Sequence, residues 1–280
     1  MSNEIELQPV ESSPEIESNY RDELLTFFSS GIFLFDSPAI NSHTTSSPAT
    51  SSQNANSANN ADNSIDDDLP LPKLTTTNPI KLQIALTEYY SNDKLKKMTK
   101  RLFDKISAYH KAEFDSQIDA MIDKKIADIE STQSYQDYTE QLQFMNYTVT
   151  KNLRDDFIYS IILAVLMQGL FNTPHRLENQ IITDAVNKIN ERIEIISSDQ
   201  SIKITQGLTM AKCKALDLNQ YKWQTMQDKL VRPTHAANNK KIFNWDNPPE
   251  QTGHPGTQVN CRCKALVIAS PGMANLLNLM

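Results

Sequence analysis

Apolar residues recur every three or four positions along the middle of the chain. They stand at Leu95, Met98, Leu102, Ile106 and Tyr109, and again at Ile118, Met121, Ile122 and Ile126. This spacing places the apolar side chains on one face of an α-helix, with charged and amide side chains on the other. The pattern predicts a helical domain over residues 78–220, built as a bundle of four to six helices.

Two longer helices are predicted in the second half of this domain. One covers Tyr138–Phe171 and the next His175–Leu216, and the small or polar residues at 197–199 and at Gly207 favour a break in the second. The apolar run 158–171 falls short of the roughly 18 apolar residues that cross a bilayer. We therefore expect a buried core helix and no membrane partner.

The pattern changes after Tyr221, where prolines and aromatic residues become frequent. Lys241–Trp245 and Cys261–Ala269 show the alternation of short β-strands. They predict a small C-terminal module over 221–270, followed by a tail of residues 271–280. The predicted fold class is mainly α, a helical bundle followed by a small α+β C-terminal module, with a disordered N-terminal arm.

The arm itself divides into two parts. Residues 37–77 are rich in Ser, Thr, Asn, Asp and Pro, and they predict a disordered linker because they cannot bury enough apolar surface. Residues 1–36 form a short acidic and aromatic segment that is too small for a core of its own. Two alternatives stand for this segment: it folds back onto the body, or it docks to a partner.

Charge is distributed unevenly between arm and body. Residues 1–77 carry twelve acidic against two basic side chains, whereas residues 78–280 carry 25 basic against 22 acidic. A nearly neutral body does not indicate a dedicated nucleic-acid binder, although it leaves local contacts open. The acidic start has no secretory-signal pattern, and three cysteines do not make a disulfide framework. We therefore expect a soluble protein of a reducing compartment.

The reactive side chains are concentrated between Asp228 and Cys263. The candidate metal ligands are His235, His254, Cys261 and Cys263. Two imidazoles and two thiols are a ligand set that Zn²⁺ takes tetrahedrally, and a metal would add cohesion to a small module. Alternatively the cysteines are small apolar core residues and the histidines are hydrogen-bonded turn residues. A third alternative is a Cys/His nucleophile with Asp228 as the orienting carboxylate.

Other residues of this stretch are predicted to hold the module in shape. Trp223 and Trp245 are expected to be core anchors. Asp228 and Arg232, four residues apart, are expected to pair near the end of a helix that stops at Pro233.

The same residues carry a family resemblance. The blocks W-x-T-x-x-D-x-x-V-R-P-x-H, F-x-W-D-x-P and HPG…NCRC resemble the phage head-morphogenesis family, the Mu F-like minor head proteins of tailed phages and prophages. The match covers roughly residues 175–270. Its motif residues here are Trp223, Asp228, Arg232, Pro233, His235, Trp245, Pro255, Gly256, Asn260, Cys261, Arg262 and Cys263.

The resemblance implies a minor structural protein that associates with portal, capsid or scaffold proteins in the head interior of a virion, after assembly in the bacterial cytoplasm. It implies contact with packaged DNA as a further partner, no small-molecule substrate and no enzymatic activity. The alternative function is a metal-assisted nuclease or Cys/His hydrolase that uses His235, His254, Cys261 and Cys263. A secreted effector that kept the module is a third hypothesis.

Two departures from the family pattern concern the backbone and the preceding helix. The family commonly has a glycine in the turn after the histidine, where this chain has Asn238 and Asn239, which we expect to adopt the left-handed conformation instead. The family also often has Arg-Thr-Glu on the preceding helix, where this chain reads Ser197–Asp199. The role of that basic residue is therefore not carried over.

Overall fold

The computed structural model describes residues 5–7, 9, 13–32, 78–116, 128–171 and 175–269. The predicted linker 37–77, the tail 271–280 and the apolar positions between 118 and 126 lie outside these residues. Helices dominate the described part, and a small antiparallel sheet accompanies them, so the predicted mainly α fold class with a small C-terminal α+β part is confirmed.

The elements follow one another in a simple order, with helices first and most strands last. The helices are α1 (Pro14–Ile32), α2 (Pro79–Tyr89), α3 (Asn92–Ser116), α4 (Gln133–Phe171), α5 (His175–Ala215) and α6 (Pro233–Ala236); the strands are β1 (Ile5–Leu7), β2 (Gln220–Gln224), β3 (Ile242–Asn244) and β4 (Lys264–Ala269).

The N-terminal segment folds back onto the helical body. Tyr20 on α1 is buried, and Glu23 one turn later pairs with Arg101 at 3.0 Å and with Lys105 at 2.7 Å, both on α3. Strand β1 also pairs with β4 in the sheet. Of the two alternatives for residues 1–36, folding back is thus confirmed for the described part of the segment.

Helix α5 runs without the predicted break. The hydroxyls of Ser197 and Thr205 donate to backbone carbonyls four residues earlier at 2.6 and 2.8 Å, so these polar residues satisfy themselves within the helix. Gly207 serves a close approach between helices rather than a break. A Cβ there would lie 2.8 Å from the Cδ2 atom of Leu142 on α4.

The sheet has the strand order β1-β4-β2-β3, with every neighbouring pair antiparallel. Strand β3 falls within the predicted Lys241–Trp245, whereas β4 begins three residues after the predicted start. Asn260, with φ of 56°, turns the chain just before the cysteines, so regular pairing starts only at Lys264. Strand β2 has no counterpart in the sequence prediction; it turns Tyr221 and Trp223 inward.

The predicted helix end at Arg232 is wrong. Residues 225–232 form no helix, and α6 is a single turn that begins at Pro233. Asp228 pairs with Arg262 at 2.6 Å instead of Arg232, whose guanidinium donates to the Val259 carbonyl at 2.7 Å. Both charged side chains therefore tie the 225–232 loop to the segment before β4, a connection that lies too far along the chain for local spacing to reveal.

Contacts divide the chain into two compact units. Of the described residues, the first holds those within 1–25, 92–154 and 189–269, and the second those within 26–91 and 155–188. The second unit is built on three buried aromatic rings, Phe28, Tyr90 and Phe157, with centroids 5.4 to 5.9 Å apart. The sheet, α6 and all four candidate ligands belong to the first unit. Within the described residues, none of the helices combines the length and apolarity that crossing a membrane requires.

A buried polar cluster lies in the first unit beside the module core. Lys212 on α5 is 1% exposed, and its Nζ atom lies 3.3 Å from Asp115 and 3.2 Å from Glu130. His110 on α3 is fully buried, and its Nε2 atom lies 2.9 Å from the Thr209 hydroxyl. Phe114 joins this cluster to the module core, because its ring stacks on His110 with 5.5 Å between centroids. The buried residues of the module core are Phe114, Cys213, Leu216, Leu218, Tyr221, Trp223, Trp245, Cys261, Cys263, Ala265 and Val267.

Candidate metal centre

His235 is directed into the module by the single turn of α6. Arg232 precedes the turn in an extended conformation, and Pro233 occupies its first position, where the missing N–H costs nothing. The His235 side chain is consequently only 2% exposed. Its ring meets the Trp223 ring edge-on, with 5.5 Å between centroids. The short helix thus delivers one imidazole to the core of the module.

Both cysteines of the Cys-x-Cys pair approach the same nitrogen of that imidazole. The Nδ1 atom of His235 lies 3.4 Å from the Cys261 sulfur and 3.5 Å from the Cys263 sulfur. The three potential ligand atoms lie within 4.8 Å of one another, and all three residues are buried. The structure therefore brings together three of the four predicted ligands.

The other ring nitrogen of His235 is held by an amide. Its Nε2 atom lies 2.9 Å from the Oε1 atom of Gln258, and the Gln258 amide nitrogen donates to the Gln251 carbonyl at 3.1 Å. Because that second bond orients the amide, Oε1 faces the ring as an acceptor and Nε2 carries the proton. The Nδ1 lone pair is then free to face the two sulfurs.

The two thiols titrate as a pair. A hydrogen bond from Cys263 favours the thiolate of Cys261 and lowers the pKa of that thiol, and the backbone N–H of Gly256, 3.3 Å away, acts in the same direction. The partner thiol is held protonated, so the shared hydrogen bond and burial raise the pKa of Cys263.

His254 is not part of this group. Its Nδ1 atom lies 3.1 Å from the Tyr221 hydroxyl, and its ring packs against the Trp245 ring at 5.4 Å between centroids. Burial, followed by the nearby Lys214 charge, lowers the pKa of His254. His254 therefore lies in the aromatic part of the core, outside the group of three potential ligands.

The remaining motif residues brace the loop that carries the cysteines. Asn260 donates its backbone N–H to the Asp199 carboxylate at 2.6 Å, and the Arg262 guanidinium holds Asp228. This arrangement lowers the pKa of Asp228, mainly through the Arg262 hydrogen bond. Trp223 and Trp245 are both buried in the module core, as predicted.

The turn after His235 differs from the expectation for Asn238 and Asn239. The left-handed residue is Lys240, with φ of 65°. The two asparagines use their side chains instead: Asn239 accepts the Thr225 N–H at 3.1 Å, and Asn238 donates to the Thr252 hydroxyl at 2.9 Å.

Three residues important to the site were not found from the sequence. Asp199 and Gln206 on α5 accept backbone N–H groups of Asn260 and Ala265, and Gln258 orients His235. Two of the three are glutamines, a residue type that is usually exposed and that no spacing rule distinguishes. Only the position of Gln258, inside the stretch rich in His and Cys, is a signal that could have pointed to it.

Gly256 allows the loop to lie against α5, and its replacement by alanine is expected to cost about 2 kcal/mol or more of unfolding free energy. Its φ is 78°, and an added Cβ would lie 2.8 Å from the Cγ atom and 3.2 Å from the Cβ atom of Gln206. Urea denaturation followed by tryptophan fluorescence measures the loss.

Gly253→Ala is the matched control for this prediction. Its φ of 63° is similar, but an added Cβ would meet only the Thr257 hydroxyl, at 3.0 Å. Equal losses for both variants would attribute the effect to backbone conformation alone and contradict the role of the contact with α5.

Comparison with known proteins finds a family model whose match includes this site. Residues 129–266, just under half of the chain, match the family described as "Phage Mu protein F like protein". A protein of Haemophilus influenzae described as uncharacterized is 30% identical over 118 residues, which are 42% of this chain and 26% of that protein. This chain thus spans about a quarter of that relative's length. No solved structure matches the chain.

The family match begins four residues before α4 and ends within β4. It therefore contains α4, α5, the candidate metal centre and the bracing residues on α5. The match confirms the Mu F-like resemblance of the C-terminal region and begins about 45 residues before residue 175, where the resemblance in the sequence starts.

Proposed function

We propose that this chain, which carries a Mu F-like region over residues 129–266, is a minor structural protein of a phage head that docks to the portal or capsid protein during head assembly. The family match is the observation that carries this proposal. It supports a phage head-morphogenesis protein, and the docking role, the virion interior and the partners are inferred from that class.

An apolar stripe on α4 supports the docking role. The stripe consists of Tyr159, Leu163, Leu166 and Met167, which are 40–66% exposed. Their spacing of four, seven and eight residues places them on one face of the helix. Large apolar side chains aligned on an exposed helix face are typical of a surface that another protein covers. A portal or capsid protein is the partner that the family match favours.

DNA is the less favoured partner. Residues 1–77 carry a net charge of −10, which repels a phosphate backbone, and residues 78–280 carry a net charge of only +3. The charge of the body permits local contacts with packaged DNA without making them the main source of affinity.

The enzymatic alternative has one specific observation in its favour. Cys261, His235 and Gln258 stand in the sulfur–imidazole–amide order of Cys-His-Asn hydrolases. The Cys261 side chain is only 4% exposed, however, and a second thiol occupies the space beside the imidazole. His254 and Asp228, the other residues of the predicted site, are engaged elsewhere. The geometry therefore favours a structural role over catalysis.

The docking proposal is tested by placing a charge in the apolar stripe. Leu163→Glu is expected to abolish co-sedimentation with the portal or capsid protein, because a carboxylate cannot be buried there unpaired. Since Leu163 is 43% exposed, the stability of the free protein should change by only about 0.5 kcal/mol.

Ile195→Glu on α5 is the matched control, since Ile195 is 53% exposed and lies outside the stripe. It should co-sediment like the unmodified chain. The docking proposal fails if the unmodified chain co-sediments with neither the portal nor the capsid protein. It also fails if Leu163→Glu binds as well as the unmodified chain.

A further inference from the structure

We infer that His235, Cys261 and Cys263 bind one zinc ion, which links α6 to the segment before β4. The inference concerns the module itself and does not depend on the phage-head proposal. It names three ligands: the Nδ1 atom of His235 and the sulfur atoms of both cysteines.

The spacing of the ligand atoms fits zinc. Bond lengths of about 2.3 Å to sulfur and about 2.05 Å to nitrogen, at a tetrahedral angle, separate the two ligand atoms by about 3.6 Å. The observed separations from His235 Nδ1 are 3.4 Å to Cys261 and 3.5 Å to Cys263. Both N–S separations thus match a shared zinc ion, and all three ligand atoms lie within 4.8 Å of one another.

The tautomer of His235 also fits a metal ligand. Gln258 accepts the Nε2 proton, which leaves Nδ1 as the coordinating atom. A ligating histidine usually donates its second N–H to an oxygen in this way, and that bond fixes the orientation of the ring. The Gln251 carbonyl holds Gln258 in turn, so the orientation is supported by a chain of two hydrogen bonds.

Two N–H donors lie close to the cysteine and histidine side chains. The Gly256 N–H donates to the Cys261 sulfur, and the indole N–H of Trp223 is buried without a hydrogen-bond partner next to the site. A buried donor that lacks an acceptor needs one, and a zinc-bound thiolate beside it can serve. The donor set of one imidazole and two thiolates is the borderline-soft set that zinc prefers to magnesium or calcium.

The described residues place three ligands in this group, so a water molecule is expected to complete the tetrahedron. The three ligand residues are at most 4% exposed, which makes the ion a structural cross-link between distant parts of the module. Residues 235 and 261 are separated by 26 positions along the chain, and the ion would close the loop between them.

The test starts with the metal content of the full chain, purified without chelators or a polyhistidine tag. About one zinc per chain is expected, and cobalt substitution should produce a thiolate-to-metal charge-transfer band. Absence of zinc together with absence of that band would overturn the inference, whatever the cysteine variants do.

Matched variants assign the ligands. Cys261→Ser, Cys263→Ser and His235→Ala should each lose the zinc, whereas His254→Asn and Cys213→Ala should keep it. Because a ligand variant can simply misfold, Gln258→Ala provides a second measurement, with Gln251→Ala as its control. Gln258→Ala should weaken zinc binding roughly 10- to 100-fold while far-UV circular dichroism stays unchanged. Equal zinc affinity in both glutamine variants would contradict the assigned role of His235.

The effect of zinc on the module can be followed separately. Both tryptophans of the chain, Trp223 and Trp245, lie in the module core. Removal of zinc by a chelator should therefore lower the midpoint of the fluorescence-monitored transition and expose the cysteines to iodoacetamide. Unchanged fluorescence stability and unchanged alkylation after chelation would show that the cysteines are ordinary core residues.

Discussion

Changing Asp115 to Asn together with Glu130 to Gln is expected to lower the free energy of unfolding by about 3–5 kcal/mol. The two carboxylates lie within 3.3 Å of the Lys212 ammonium group, which the fold buries almost completely. Their amides keep the shape but remove the compensating charge, so a buried cation would remain without a counter-ion. Urea denaturation followed by far-UV circular dichroism measures the change.

Lys212→Met separates the charge from the packing. In the chain that already carries both amides, this substitution should restore most of the lost stability, because methionine fills a similar volume without a charge. Lys111, whose side chain is 48% exposed, contacts the same carboxylates and is the surface control. Lys111→Met should change the stability by no more than about 1 kcal/mol. A double amide variant with nearly unchanged stability would refute the argument.

Acidification is expected to destabilise the protein through His110. Thr209 donates its hydroxyl proton to the Thr205 carbonyl at 3.0 Å, so it must accept the Nε2 proton of His110. The Nδ1 atom is buried without a hydrogen-bond partner, and a second proton there would find no acceptor. Burial first, and then the Lys212 charge, lowers the pKa of His110 to about 3.

The sign of the effect follows from the protons bound in each state. Between pH 6.5 and 3 the unfolded chain protonates His110, with a pKa of about 6.5, while the folded chain does not. His110 therefore costs no folding free energy well above pH 6.5. Below pH 6.5 it lowers the free energy of unfolding by up to about 1.4 kcal/mol per pH unit. The loss attributable to His110 is up to about 3 kcal/mol at pH 4.5.

Because other groups also titrate in this range, His110→Gln provides the comparison. Its amide can still donate to Thr209 but takes up no proton. The free energy of unfolding of the unmodified chain and of His110→Gln is measured by denaturation at pH 7.0 and at pH 4.5. On going to pH 4.5, the unmodified chain should lose up to about 3 kcal/mol more than the variant. The same pH dependence in both proteins would show that His110 is protonated without penalty in the folded chain.

Local pattern predicted most of the helical part of the fold. A period of three to four residues is visible in any window of a helix, so α3, α4 and α5 were predicted close to their observed positions. The low helix propensity of Ser197 and Gly207 predicts a break in α5 that the structure does not have. The Ser197 hydroxyl forms a hydrogen bond within the helix, and Gly207 allows close contact with Leu142.

The sheet and the site depend on pairings that spacing does not encode. Spacing along the chain pairs Asp228 with Arg232, four residues later. In the structure Asp228 instead binds Arg262, which is 34 residues away in the sequence. His254 and His235 are equivalent as residue types, and only the fold assigns one to the aromatic core and the other to the sulfurs. The cysteine pair itself can be identified from the sequence, because two of the three cysteines stand as Cys-x-Cys in the same stretch as His235 and His254.

The order of strands in the sheet has a consequence for how the chain acquires its structure. Strand β4 lies between β1 and β2, so neither of these two can complete its pairing before residues 264–269 have left the ribosome. Contacts of such high sequence separation form slowly because a long loop must close first. The helices can form during synthesis, whereas β1 must wait through more than 250 residues for its partner. Strand β1 therefore stays unpaired until almost all of the described chain has been synthesised.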